Sequence, residues 1–163
     1  MLFMRIRSEK FLLWVILAGI ALLCLLIAIF SKGTYDSGDG IQHYLISRYS
    51  WKHPELFLHL WGKPFFTLVS SPFTQFGLIG ANIFNILCAV GSSLLCYKIA
   101  KKLEINFPLF VIPFLCFAPI YFAVIQSGLT EPFFGFVLIL SIYLYLTPGF
   151  SPKERGSPPS EGV

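Results

Sequence analysis

The feature that most constrains this chain is an unbroken apolar run near its N-terminus. Residues 11–30 read FLLWVILAGIALLCLLIAIF and contain no charged side chain. About twenty such residues form a helix long enough to cross the ~30 Å hydrocarbon core of a membrane. A cleaved signal peptide has a shorter apolar region that ends at a small-residue cleavage site, and this run has neither property. We therefore predict an uncleaved membrane span.

The composition points to the same class of protein. Charged residues make up 12% of the 163 residues and hydrophobic residues 56%, whereas about 25% of the residues in soluble domains are charged. The net charge of +4 is not gathered into one basic patch, so nucleic-acid binding is not predicted. The four cysteines lie inside apolar runs, which argues against a disulfide framework or a metal knuckle. We expect an all-α integral membrane protein.

Three further apolar segments bring the predicted number of spans to about four. They cover residues 77–99, 108–125 and 132–147. The first of them carries small and polar residues at four-residue spacing, and such a stripe lets another helix approach closely. The stripe consists of Gly77, Ala81, Asn85, Ala89 and Ser93. In the segment 108–125, Pro113 and Pro119 predict a bent or loosened helix.

The distribution of lysine and arginine predicts how these spans are oriented, because cytoplasmic segments carry an excess of both residues. With residues 1–10 placed in the cytoplasm, eight of the twelve lysines and arginines fall in inner segments and four in outer ones. Both termini are then cytoplasmic, including residues 148–163, a segment rich in proline, serine and glycine that we predict to be disordered. The loop 31–76 and the turn 126–131 face outward.

The outer loop contains the only long polar segment of the chain, residues 35–64. Within it, Asp39 precedes apolar residues at helical spacing and forms a capping-box pattern with Gln42, which predicts a short helix. A second short helix is predicted over residues 54–61, with Pro54 in its first turn. Both carry apolar residues next to tryptophans, so we expect them to lie at the membrane interface. Pro72 predicts a break after the apolar stretch that follows.

Asp36 and Asp39 are the first candidates for chemistry in this segment. A carboxylate just above the membrane surface can act as a general base on an acceptor hydroxyl, or bind a divalent cation that neutralises a leaving phosphate. The alternative is structural: Asp39 caps a helix and Asp36 forms a turn. Both interpretations stay open, and a capping Asp39 can serve both roles because a cap fixes the carboxylate in place.

The remaining polar residues of the outer segments have similar alternatives. No two histidines have the spacing of zinc ligands on one helix, so packing or capping is favoured for His43 and His59, whereas His53 can reach a phosphate from a helix start. The cations can pair with a lipid phosphate or simply extend to head groups; they are Arg48, Lys52 and Lys63. Glu131 is either a functional acid at the mouth of a span or an ordinary first-turn residue between a Thr130 cap and Pro132.

Three stretches resemble the opening part of the GT-C superfamily, the polytopic glycosyltransferases that take sugars from polyprenyl-phosphate carriers. GDGIQHYLISRY, residues 38–49, is similar to the acidic first-loop motif of bacterial and protein-mannosyltransferase-like members. KHPELFLHLWGKPFFTLVSSPF, residues 52–73, is similar to the stretch that follows it, and SGLTEPFF, residues 127–134, resembles a span start of bacterial relatives. The resemblance covers about residues 1–147, and it implies the N-terminal part of a bacterial plasma-membrane enzyme with more spans.

The resemblance also implies roles for individual residues. Asp39 takes the place of the first-loop catalytic acid, as a base or as a ligand of Mg²⁺ or Mn²⁺. Asp36 is its partner, since Gly40 stands where the family has a second acid. His53 and Arg48 are candidates for the carrier phosphate, and Glu131 for a supporting acid. The implied partners are a lipid-linked sugar donor, membrane lipids, and the remaining spans or a partner membrane protein.

Two other classes of function compete with the transferase. A small four-span scaffold or assembly protein would use its stripe of small residues to pack against a partner. A transporter is disfavoured, because no span centre carries a charge.

Overall fold

The computed structural model describes residues 2–31, 34–35 and 38–147, and within these residues the chain is helical without any strand. The all-α prediction is thereby confirmed for the described part of the chain, while the predicted tail, 148–163, lies outside it. Two short 3₁₀ helices cover Pro54–Leu58 and Pro108–Phe110. The α-helices are α1 (Leu2–Phe30), α2 (Asp39–Tyr49), α3 (Pro64–Thr74), α4 (Leu78–Lys102), α5 (Val111–Cys116), α6 (Pro119–Ile125) and α7 (Glu131–Tyr145).

Among the described residues, two helices are long and apolar enough to cross a membrane. They are the 23 residues Ser8–Phe30 of α1 and the 25 residues Leu78–Lys102 of α4. At a rise of about 1.5 Å per residue, these segments are roughly 35 Å and 38 Å long, more than a hydrocarbon core requires. They overlap the first two predicted spans, 11–30 and 77–99, and extend beyond them by residues 8–10 and 100–102.

The third predicted span is a bent pair of helices. Pro108–Cys116 and Pro119–Ile125 meet at 68°, and only if this pair counts as one span does the number of spans reach three. The bend lies at Pro119, since Ala118 before it is extended, with ψ 121°, as the residue before a proline prefers. Pro113 lies in the first turn of α5, where a helix needs no N–H donor. The expected bend is therefore present at Pro119 and not at Pro113.

The fourth predicted span corresponds to α7, which has 15 residues. Its length of roughly 22 Å is shorter than the ~30 Å of a hydrocarbon core. α7 packs along α4, where a Cβ on Gly91 would lie 2.8 Å from the ring of Phe136. This close approach fixes α7 beside a long helix. Because α7 is short, a fourth span stays a prediction.

The predicted capping box at Asp39 is wrong. The residue that precedes α2 is Gly38, with φ 111°, and Asp39 is the first helical residue. The backbone N–H of Gln42, which a capping Asp39 would bind, donates to the carbonyl of Gly38 at 3.1 Å. A left-handed glycine therefore begins this helix, and the Asp39 carboxylate is available for other contacts.

The segments after α2 also differ from their predictions. The second short helix ends at Leu58 instead of residue 61, because His59 is extended, with ψ 123°. Pro72 does not break the next helix, since α3 continues to Thr74. A proline at position 72 leaves the carbonyl of Leu68 without its usual donor, and the Ser71 hydroxyl donates to that carbonyl at 3.0 Å instead. A neighbouring serine thus lets the helix pass through the proline.

The hydrophobic core is arranged around α4. One cluster joins α4 to α1, α5 and α6, and its buried members include Leu17, Ile20, Ala89, Ile112 and Ile125. A second cluster consists of Phe66, Phe84, Cys88 and Phe133, and it joins α3, α4 and α7. The short helices of the first loop are therefore anchored to the long helices by aromatic packing.

The stripe of small residues on α4 is covered by the chain itself. Ala81, Asn85, Ala89 and Ser93 are buried. The Asn85 amide donates to the carbonyl of Leu129 at 3.0 Å, and the Ser93 hydroxyl lies 3.1 Å from the thiol of Cys116. The stripe lets the turn before α7 and helix α5 approach α4, so its close packing is used within this chain.

Candidate functional site

Hydroxyl groups hold α2 and α3 together. Ser47 and Ser70 are buried, and their hydroxyl oxygens lie 2.9 Å apart between the two helices. The Ser50 hydroxyl donates to the carbonyl of Ser47 at 2.8 Å, and that of Thr67 donates to the carbonyl of Gly62 at 2.7 Å. Because these side chains are small and satisfied, the two helices pack closely and form one unit.

Aromatic packing docks this unit onto the long helices. The ring of Phe66 lies 5.8 Å from that of Phe84 and 6.0 Å from that of Phe133, measured between centroids. The rings of Phe84 and Phe133 are 5.6 Å apart. Since Phe66 belongs to α3, Phe84 to α4 and Phe133 to α7, this triangle brings the beginning of α7 next to the first loop.

A pocket of about 430 Å³ opens at this junction. Its lining comes from the start of α2, the turn before α3 and the start of α7. The lining residues are Asp39, His43, His59, Leu60, Trp61, Lys63, Leu129 and Glu131. We call it the acidic pocket, because it brings together two predicted site residues, Asp39 and Glu131, from segments far apart in the sequence.

Both acids of the pocket lie in the first turn of a helix, Asp39 in α2 and Glu131 in α7. The two helix starts approach each other closely, since a Cβ on Gly128 would lie 3.5 Å from the carbonyl oxygen of Gly40. The pocket therefore presents two exposed carboxylates on a defined backbone.

Lys63 is a pocket residue that the sequence did not distinguish from the other cations. Its ammonium donates a hydrogen bond to the Thr130 hydroxyl and lies 5.5 Å from the centroid of the Phe134 ring. Its backbone has φ 56°, an uncommon conformation for a residue other than glycine, and such strain clusters at functional sites. The pocket lining thus includes one lysine as well as two carboxylates, and a contact with a distant segment fixes that lysine.

The same contact changes the role expected for Thr130. Thr130 does precede α7, and Glu131 and Pro132 follow it at the helix start as predicted. Its side chain makes no capping hydrogen bond, because the hydroxyl accepts from Lys63 instead. Thr130 therefore occupies the predicted position before α7, but the predicted capping hydrogen bond is absent. Its hydroxyl instead links the two outer segments through Lys63.

Two histidines and a tryptophan complete the pocket. His43 is buried and its ring is nearly parallel to that of Trp61, with 12° between the planes and 6.3 Å between the centroids. Phe66 meets the His43 ring edge-on at 5.8 Å. The predicted packing role of His43 agrees with these contacts, whereas His59 is exposed and lines the pocket.

The other predicted site residues are not part of the pocket lining. Arg48 donates to the hydroxyl of Tyr44 and lies 5.6 Å from the centroid of that ring. His53 is exposed, with its Nδ1 atom 3.4 Å from a carboxylate oxygen of Glu55. The structure therefore does not bring Arg48 or His53 to Asp39, and Asp36 lies outside the described residues.

The predicted metal site is not assembled from the described residues. Across residues 2–31, 34–35 and 38–147, no three histidine, cysteine, aspartate or glutamate side chains converge in a way that could hold an ion. The predicted pair includes Asp36, so a metal role for Asp36 and Asp39 stays a prediction. What the described pocket can do is accept hydrogen bonds at two carboxylates, donate them from an ammonium and offer an aromatic surface. No known protein family, characterised protein or solved structure matches this chain.

Proposed function

We propose that the chain carries the first-loop site of a GT-C-type membrane glycosyltransferase, which transfers a sugar from a polyprenyl-phosphate carrier to an acceptor at the outer leaflet. The observation that supports this proposal is the convergence of Asp39, Glu131 and Lys63 in one pocket. A base and a cation are the two groups that such a transfer needs at neighbouring positions. The resemblance of the first loop to that superfamily supports the same assignment.

Each of these side chains has a separate role in the proposed reaction. The acceptor oxygen attacks the anomeric carbon, the bond from that carbon to the phosphate oxygen breaks, and the polyprenyl phosphate leaves with the electron pair. Asp39 takes the proton of the acceptor hydroxyl as general base. Lys63 offsets the negative charge on the leaving phosphate, and Glu131 accepts a hydrogen bond from a substrate hydroxyl. In this assignment Lys63 replaces Arg48 and His53 at the carrier phosphate.

The proposed topology places the pocket outside the cell, with four spans and the first-loop helices at the membrane interface. α4 supports this arrangement, because the pocket lies near its beginning and Lys98, Lys101 and Lys102 lie at its other end. Lysines concentrate on the cytoplasmic side. Leu60, with 90% of its surface exposed, lines the pocket, and an apolar residue at its mouth suits a donor that arrives from the lipid.

The scaffold hypothesis has less support than the transferase. Its distinguishing feature was a stripe on α4 that would pack against a partner. Asn85 and Ser93 of that stripe instead contact Leu129 and Cys116 of the same chain. A partner would have to bind elsewhere.

The test of the proposed function is the variant Asp39→Asn, made in the complete open reading frame and assayed in membranes with polyprenyl-phosphate-linked sugars. Loss of a general base lowers the rate by about 10²–10⁴-fold, so transfer should fall by at least a hundredfold while the amount of inserted protein stays the same. Glu55→Gln is the matched control, because Glu55 is an exposed acid of the same loop that does not line the pocket. Equal transfer by the wild type and by Asp39→Asn would refute the assignment.

A further inference from the structure

The indole of Trp61 lies beside a buried ring with which it is nearly parallel. His43, which is 4% exposed, lies against it with the two planes 12° apart. His43 in turn contacts Phe66, a member of the aromatic cluster that joins α3, α4 and α7. Offset stacks with centroids ~4.5–7 Å apart are favourable, so the orientation of the indole is tied to the long helices.

The backbone beside Trp61 is equally constrained. A Cβ on Gly62 would lie 2.7 Å from a methyl carbon of Ile46 and 2.8 Å from the hydroxyl oxygen of Thr67. The Thr67 hydroxyl also holds the carbonyl of Gly62, and Lys63 has the uncommon φ of 56°. The turn that carries Trp61 therefore has little freedom to move, and Trp61 is a preorganised surface.

Trp61 also lines the acidic pocket. It is 50% exposed, so part of its indole surface is open to a ligand there. The carboxylate oxygens of Asp39 and Glu131 accept hydrogen bonds, whereas the Lys63 ammonium donates them. The complementary ligand has a flat apolar face and hydroxyl groups around its edge. A pyranose ring has both features, whereas an alkyl chain lacks the hydroxyls and a phosphate lacks the apolar face.

We infer that Trp61 is the stacking platform for the pyranose ring of the donor, and that it determines which sugars the pocket accepts. The inference rests on the proposed function for the identity of the molecule that carries the sugar, but the stacking can be measured without any transfer. Sugars with an uninterrupted C–H face, as in the gluco configuration, bind more tightly than sugars with an axial hydroxyl on that face.

The competing explanation is that Trp61 is a membrane-interface anchor, because tryptophan is enriched at both membrane surfaces. Trp51 provides the comparison. It is 60% exposed and belongs to the same loop, but its ring meets Phe57 edge-on at 5.6 Å and it does not line the acidic pocket. An anchoring role predicts the same behaviour for both tryptophans, and a sugar platform predicts a difference.

The binding experiment uses the double variant Trp14→Phe, Trp51→Phe, which leaves Trp61 as the single tryptophan of the sequence. The 163-residue chain is expressed and reconstituted in phosphatidylcholine vesicles. It is then titrated with methyl glucopyranosides, methyl galactopyranosides and, as an open-chain polyol, sorbitol. A saturable fluorescence change with a pyranoside and none with sorbitol is expected. No response to either pyranoside, or quenching of Trp61 by brominated acyl chains as strong as that of Trp51 in the matching single-tryptophan protein, would overturn the inference.

The activity experiment separates this inference from the proposed function. Trp61→Ala should raise the KM for the lipid-linked donor roughly tenfold, as expected for one lost aromatic contact, with a smaller change in kcat. Trp61→Phe should restore most of the affinity and excludes misfolding as the cause, and Trp51→Ala should leave the KM unchanged. An unchanged KM in Trp61→Ala, together with transfer that depends on Asp39, refutes the platform and leaves the transferase. Pyranoside binding without any transfer refutes the transferase and leaves the platform.

Discussion

The contacts of individual side chains distinguish Lys63 from the other cations of its loop. Lys63 reaches Thr130 and Phe134, which belong to a distant segment, whereas Arg48 is tied to Tyr44 one helical turn away. Sequence alone could select Asp39 and Glu131, because an acid at the start of an apolar helix is visible in the pattern. It could not select Lys63, because the choice depends on a contact between segments that only the fold brings together.

The variant Lys63→Gln tests the role of this ammonium. Hydrogen bonds to charged groups contribute about 1.5–3 kcal/mol, so kcat/KM for the lipid-linked donor should fall by roughly ten- to hundredfold. Lys52→Gln is the matched control, since Lys52 is an exposed cation of the same loop that does not line the pocket. If both variants transfer sugar equally well, Lys63 does not meet the phosphate.

Among the helices, two prolines with similar sequence signals have opposite effects. Pro119 separates two helices at 68°, whereas α3 continues through Pro72 to Thr74. The difference is the Ser71 hydroxyl, which replaces the missing donor to Leu68. The prolines in the sequence could predict where a helix is weakened. Whether the helix breaks there depends on whether a side chain donates a hydrogen bond to the backbone carbonyl that the proline leaves without a donor. The predicted apolar segments 11–30 and 77–99 overlap helices α1 and α4, because long apolar runs leave few alternatives to a helix.

The turn between α3 and α4 depends on a glycine at position 80. A Cβ there would lie 1.9 Å from the carbonyl oxygen of Phe73, and no side-chain movement can relieve a clash with backbone. We expect Gly80→Ala to destabilise the protein by at least about 3 kcal/mol, the upper range for overpacking, as measured by unfolding in detergent.

Gly135→Ala in α7 is the control for that variant, since no atom lies within 4 Å of the added Cβ. Alanine exceeds glycine in helix propensity by about 1 kcal/mol, so this variant should be as stable as the wild type or more so. Equal stability of the two variants would show that α3 and α4 do not meet as described.

The molecule as a whole has two chemically different ends, with α4 running between them. At one end lies the acidic pocket. At the other, the Tyr97 hydroxyl donates to a carboxylate oxygen of Glu9 at 2.8 Å, and the Lys101 ammonium lies 3.1 Å from the same atom. Lys98 and Lys102 contact the ring of Tyr143. The charges of the sequence predict that Asp39 and Glu131 lie on the same side of a membrane, and in the structure both line one pocket. The sequence could not predict the pocket itself, which exists because α3 docks on Phe84 and Phe133.

Cysteine accessibility in intact cells measures whether the acidic pocket faces the outside of the cell, as proposed. Lys52→Cys reports on the loop beside the pocket, and Asn106→Cys on the exposed segment after α4. With a membrane-impermeant maleimide, we expect Lys52→Cys to be labelled in intact cells and Asn106→Cys only after permeabilisation. Labelling of Asn106→Cys in intact cells, with Lys52→Cys protected until the membrane is opened, would show that the acidic pocket faces the cytoplasm.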